Sequence, residues 1–326
     1  MFCPLLMGKA RKRVNPKVTC RVDRNLKELT LKEAKKFVGK LPPPWTQKVR
    51  GRPPKYDARL YAVLCLAMVA LNLTYDSMAG EMRGPHLKQL LGVKRLPSRS
   101  ALARAMRLLP QRYVRRFNKV VVGRFLKRKI TVIVDATGIR LVTSSAWYDI
   151  RIGRKNMRRD NVKLHLAISA SRNVIINYKI TGATRADSRQ LGFLIKDLHD
   201  VLRVIGDSGY LTRKNCDIVA SKNGKPFFAL KCNTSGKSKT SRAWLKMVRF
   251  AKKHKKIFDA IYHARSQIEA INAALKKRYG NCLRAVKRKT RNTALALRIV
   301  AFNIKQLLYD KTARNLGIPF WKICDQ

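Results

Sequence analysis

Three carboxylates carry the reactive potential of this chain. Asp135 closes a short β-rich run, Ile130 to Val134, and leads into Ala136-Thr137-Gly138. Asp207 follows Val204-Ile205-Gly206 and precedes Ser208-Gly209-Tyr210. Sites form at the carboxyl ends of strands in open α/β sheets, and both aspartates are predicted to stand there. Either one alone could be a turn former. Together, in a chain of net charge +55, they make a local negative pocket suited to divalent cations. Mg²⁺ and Mn²⁺ take oxygen ligands and use few protein carboxylates.

The third acid is Glu269, the only glutamate after Glu81, in a segment otherwise rich in Lys and Arg. A helix is predicted from Ile257 to Tyr279. At about 100° per residue, Tyr262, Arg265, Glu269 and Lys276 share one stripe. Ala264, Ile268, Ile271 and Leu275 form the adjoining apolar face. Such a helix packs through one face and brings the glutamate within reach of strand ends.

The spacing Tyr262-x2-Arg265-x3-Glu269-x6-Lys276 resembles the signature helix of the DDE transposases encoded by insertion sequences, the YREK type. Asp135-Ala136-Thr137-Gly138 and Gly206-Asp207-Ser208-Gly209-Tyr210 resemble that family's two aspartate regions. Trp147, the basic stretch 151–159 and Val162-Lys163-Leu164-His165 resemble its connection between the first strands. The resemblance covers roughly residues 128–309. It implies an RNase H-like fold, with Asp135, Asp207 and Glu269 as catalytic residues and as ligands of two Mg²⁺ (or Mn²⁺) ions. It also implies in-line cleavage and strand transfer of DNA without a covalent enzyme intermediate. Arg265 and Lys276 would grip phosphates, and Tyr262 would lie beside the cleaved strand. The protein would act as a homodimer on two double-stranded DNA ends, in a prokaryotic, nucleoid-associated, cytoplasmic setting.

The elements that must position these residues are legible in outline. Residues 1–56 read as a basic arm with one short helix, for which Thr30 and Glu33 form a capping box. The segment Arg50-Gly51-Arg52-Pro53-Pro54-Lys55 resembles an AT-hook and offers Arg52 and Lys55 to DNA, or is a basic linker. Residues 57–127 read as helical, with spans at 58–71, 74–82, 86–91, 99–109 and 111–127. The segment beginning Ser98-Arg99 would be a helix-turn-helix recognition helix, or one helix of a plain bundle with a solvated basic face. Residues 128–310 read as α/β. Strands are expected at 130–134, 162–170, 173–180, 203–206 and 226–231, with a helix at 188–201 capped by Asp187. Helices follow at 241–254, 258–279 and 290–309, and 311–326 is a tail. The fold class is a mixed α/β sheet flanked by helices, with an all-α N-terminal region.

Composition narrows the alternatives. Lys and Arg number 73 against 18 Asp and Glu, spread over the whole chain, which points to a polyanion such as nucleic acid. Seven scattered cysteines without a CxxC argue against a disulfide framework or zinc site. The longest apolar run, Leu60 to Leu71, has 12 residues, short for a membrane span. Asp149 and Asp160 read as surface ion pairs, and His165 and His263 as hydrogen-bonded structural histidines. Trp147, Tyr148 and Trp244 read as core aromatics, or, as the family resemblance implies, as partners of a flipped base. The competing functions are a nuclease on the same fold and a non-catalytic, basic nucleic-acid-binding protein.

Overall fold

The computed structural model describes residues 11–46, 55–126, 129–141, 151, 153, 161–236 and 241–324. It divides into two compact units. One gathers residues 9–124 and 277–326, and the other is built on residues 125–276. Arg52, Trp147, Tyr148, Asp149, Asp160 and nearly all of the 151–159 stretch lie outside the described residues.

The first unit is helical. Ala58–Ala70 is apolar almost all round and accordingly buried, and Asp57 caps it by accepting from the Arg59 amide at 2.9 Å. The helices Tyr75–Arg83, Pro85–Leu91, Arg99–Leu108 and Gln111–Val122 follow the expected spans. The long helix Arg288–Asn315 packs against Ala58–Ala70 and Gln111–Val122.

The N-terminal segment is more ordered than a basic arm with one short helix. Asn15 and Pro16 start a helix, Pro16–Arg24, and a second runs from Leu26 to Gly39. Thr30 is not a cap: it lies buried inside that second helix, and Glu33 is ion-paired with Lys311 instead of closing a capping box. The start signal that mattered was the Asn-Pro pair, because proline at the first helical position sacrifices no hydrogen bond. Arg11–Val14 pairs antiparallel with Trp321–Cys324.

In the second unit the strands are β1 (Ile130–Leu141), β2 (Asn161–Ser169), β3 (Val174–Gly182), β4 (Val201–Gly206) and β5 (Lys225–Phe228). Their order is β3-β2-β1-β4-β5. β1 pairs antiparallel with β2, and β2 with β3; β1 pairs parallel with β4, and β4 with β5. That is an RNase H-like mixed sheet. The hairpin between β2 and β3 turns at Asn173, whose φ of +51° asparagine tolerates. Val132, Ile133 and Val134 on β1, and Val204 and Ile205 on β4, are fully buried. A continuous β-branched run fits a central strand covered on both faces, and each such side chain contributes roughly 1.5–3 kcal/mol of burial.

Two sequence expectations fail here. β1 does not stop at Val134 but runs to Leu141, so Asp135 lies inside a strand. Pairing with β2 continues to Arg140, and the backbone ladder does not need apolar side chains to do so. The helix expected over 188–201 shrinks to a 3-10 turn, Ser188–Gln190, and one helical turn, Leu191–Leu194. Leu191, Leu194, Ile195 and Leu198 are all buried, so the helical spacing was real, but a wound loop satisfies it. β4 already begins at Val201, whose amide donates to the Lys222 carbonyl at 3.0 Å. Among the described residues no single helix is long and apolar enough to cross a membrane. Cys20, Cys65, Cys216, Cys232 and Cys282 are free thiols.

Candidate active site

Register puts the two aspartates side by side. The parallel pairing of β1 with β4 ends at Val134 opposite Gly206. Asp135 and Asp207 are the next residues on neighbouring strands, whose axes lie about 4.8 Å apart. Gly206 is required by packing: a Cβ there would stand 2.9 Å from Val134 Cγ2 and 3.1 Å from Phe228 Cδ1. A larger residue would displace the aspartate that follows. Asp207 is extended and accepts from the Ser208 amide at 2.6 Å, opening the 3-10 turn Ser208–Tyr210.

The segment carrying the third acid is not one helix. Lys255–Tyr262 ends, a 3-10 turn spans His263–Arg265, and Ser266–Tyr279 resumes. The turn packs over both β1 and β4. Ile268, Ile271 and Leu275 are buried, as the apolar face required. Tyr262 still reaches the acids across the break. Burial pushes its phenol up, Arg265 opposes this, and Asp207, Asp135 and Glu269 add to it. The Arg265 guanidinium lies 6.0 Å from the Tyr262 ring centre and pairs with Glu269 at 2.5 Å, four residues on.

Asp135 is the electrostatic centre. Burial holds its carboxyl above the ordinary carboxylate range; the Ala136 amide and Arg265 oppose this, while Asp207 and Glu269 push it further up. The three acids therefore lie within electrostatic reach of one another. The buried Asn272 donates to Asp135 at 3.4 Å. Sequence reading missed Asn272, although its place three residues after Glu269 puts it on the same helix face. Lys276, about two turns beyond Glu269, is half-buried and joins the acids through no hydrogen bond or ion pair among the described residues.

Other expectations divide. Asp187 is not an N-cap; no side-chain cap bond forms, and its carboxylate instead contacts Lys163 at 2.7 Å and His165 at 3.3 Å. His165 is fully buried and hydrogen-bonded to Thr181 at 2.8 Å, whereas the His263 side chain is exposed. Trp244 is half-buried, and its indole donates to the Ser235 carbonyl. In the helical unit Ser98 caps Arg99–Leu108, but Arg99 is paired with Asp76 at 2.5 Å. Lys55 is exposed beside the Tyr56 ring.

An all-oxygen donor set with mutually repelling carboxylates fits a hard divalent cation, which keeps several waters. Among the described residues no group of three or more His, Cys, Asp or Glu side chains converges closely enough to hold an ion by itself. Glu269 is turned to Arg265.

The fold and site define an α/β protein with two aspartates side by side on neighbouring central strands, and the family follows from comparison. The family model for the transposase DDE domain matches residues 126–304, more than half of the chain. The chain belongs to the DDE transposase family, and it is a DNA transposase, an enzyme that cleaves and transfers DNA strands. That family generally uses divalent metal ions. No curated protein matches the chain. Among solved structures it is similar to a piggyBac transposase synaptic complex with hairpin DNA, at 8% identity and a TM-score of 0.44, covering 95% of this chain and 80% of that one. It also matches a Mos1 transposase paired-end complex with the left transposon end, at 16% identity and a TM-score of 0.21, covering 84% and 83%.

Proposed function

We propose that this is an insertion-sequence transposase of the YREK type whose Asp135, Asp207 and Glu269 hold two Mg²⁺ (or Mn²⁺) ions. The carrying observation is the β1–β4 register, which ends at Val134 opposite Gly206 and so sets Asp135 and Asp207 side by side, with the turn that leads to Glu269 packed over both strands. Bound ions would activate a water or a DNA 3′-hydroxyl and stabilise the leaving oxygen. Asn272 orients Asp135, and the Gly206 packing fixes Asp207. Arg265, once it exchanges Glu269 for a phosphate, and Lys276 grip the DNA end. Tyr262, stacked on Phe258 at 6.3 Å, lines the cleaved strand.

On this reading residues 128–310 carry the chemistry and 57–127 recognise terminal inverted repeats. The helix Arg99–Leu108 leaves Arg104 and Arg107 exposed for that purpose, and Arg99 joins them once it leaves Asp76. Arg52 and Lys55 extend that contact to DNA. A homodimer pairs two DNA ends in the nucleoid of a prokaryotic cytoplasm.

Mg²⁺-dependent cleavage and joining of DNA carrying the element's own ends tests the reading. Asp135→Asn, Asp207→Asn and Glu269→Gln should each abolish both steps while DNA still binds. Full activity in any one of them would sink the metal assignment. Cleavage without joining of pre-cut ends would favour a nuclease, and absence of metal binding a pure DNA binder.

A further inference from the structure

A fourth acid stands at the same end of the sheet. Asp187 follows β3, with a side chain only 27% exposed. Its Oδ1 lies 2.7 Å from Lys163 Nζ and 3.3 Å from His165 Nδ1, both on β2. His165 pairs in register with Ala136 and Lys163 with Gly138, so both side chains lie on the sheet face opposite Asp135, and Asp187 reaches the site only through the turn after β4. The other oxygen, Oδ2, lies 3.7 Å from where a Cβ on Gly209 would sit, so Asp187 rests against the turn that Asp207 opens. Buried Asn215 ties the same two turns together, donating to the Ser188 carbonyl at 3.0 Å and to the Tyr210 carbonyl at 2.9 Å. The buried Tyr210 ring lies within reach of Asp187, Asp135 and Asp207 alike.

We propose that Asp187 is a positioning residue for the metal site: held by Lys163, it braces the Ser208–Tyr210 turn and so fixes Asp207 beside Asp135. Its charge is already matched by Lys163, so it acts through Asp207 and not as a ligand. The proposal rests on the reading that Asp135 and Asp207 hold metal. Groups that orient metal ligands characteristically set metal affinity, by roughly 10- to 100-fold when removed.

The test uses the full-length protein, titrated calorimetrically with Mg²⁺, together with metal-free DNA binding and thermal melting. Asp187→Asn is expected to weaken Mg²⁺ binding about tenfold while DNA affinity holds. Lys163→Met, which releases Asp187 without altering it, should reproduce that shift, and the double variant should add nothing further. Lys163→Met carries the test if Asp187→Asn does not fold. Unchanged Mg²⁺ affinity, additive effects, or a joint loss of DNA binding and melting temperature in both variants overturns the proposal. Asp207→Asn is the control. If it binds Mg²⁺ like the wild type, the metal-site reading itself fails. If it does not, while Asp187→Asn does, only the positioning role falls.

Discussion

In the helical unit several carboxylates are cross-links between segments. Asp23 takes Lys305 at 2.9 Å and the Tyr309 hydroxyl at 3.2 Å. Glu33 holds Lys311 and Glu81 holds Lys27. In the sheet unit Asp135 and Asp207 form no ion pair among the described residues. With 73 basic residues to choose from, pairing is the default for an acid in this chain. The helical unit uses several of its acids to fasten distant segments. The sheet unit keeps two of them unpaired on adjacent strands, against their own repulsion, and strand register holds them there. Glu269 stands between the two modes, exposed and paired with Arg265 on its own helix.

The contrast breaks first at the acids themselves. Asp135→Asn or Asp207→Asn should cost on the order of 10³-fold or more in Mg²⁺-dependent cleavage, because metal stabilisation of the transition state amounts to several kcal/mol. Thermal melting without metal should not fall, since burial opposes the charged form of Asp135. A melting temperature that dropped in step with activity would make these acids structural after all.

A pH series sharpens the comparison next. Burial, the largest influence, lowers His165 from 6.5 to about 4, with Asp187 opposing. The unfolded chain takes up this proton near pH 6.5 and the folded chain only near 4. The stability this neutral ring contributes is complete above pH 6.5 and is lost as pH falls towards 4. At 1.36 kcal/mol per unit it amounts to about 3 kcal/mol. Asp135 has the opposite sign: its contribution is lost as pH rises above the ordinary carboxylate range. Chemical denaturation from pH 7 to 4 should show the histidine-linked loss, and His165→Gln should flatten it.

Cutting a cross-link should have a smaller and purely structural effect. Asp23→Ala leaves a largely buried Lys305 ammonium without its carboxylate and removes the Tyr309 bond, for about 2–3 kcal/mol of stability. Mg²⁺ affinity should stay at the wild-type value, and a parallel loss would erase the distinction between the units. Last, Arg265→Gln removes an exposed pair spaced i,i+4, worth about 0.3–0.5 kcal/mol. Melting should barely move while end-DNA affinity falls, as gel-shift titration would show. A large stability loss would place Arg265 among the cross-links.

Which parts of the site could be read in advance follows from what each depends on. The strand cores 130–134 and 203–206 and the helix face of Ile268, Ile271 and Leu275 were legible, because side-chain period follows backbone geometry. The break at His263–Arg265 was not: three residues of 3-10 winding leave the apolar spacing on either side intact. The short helix at 191–194 misled for the same reason, since buried leucines at helical spacing also suit a loop. Asn272 and Asp187 were opaque because their partners, Asp135 and Lys163 with His165, lie far off in the chain.

The sequence alone determined a strongly basic protein, three acids in order, and the helical stripe from Tyr262 to Lys276. These are local facts of composition and spacing, which need no fold to be true. Only the tertiary structure decided that Asp135 lies within a long strand, that Asp207 continues its neighbour, and that Asp187 lies beside the turn that follows. Those relations come from strand register and loop packing, which join residues that no short stretch of sequence contains.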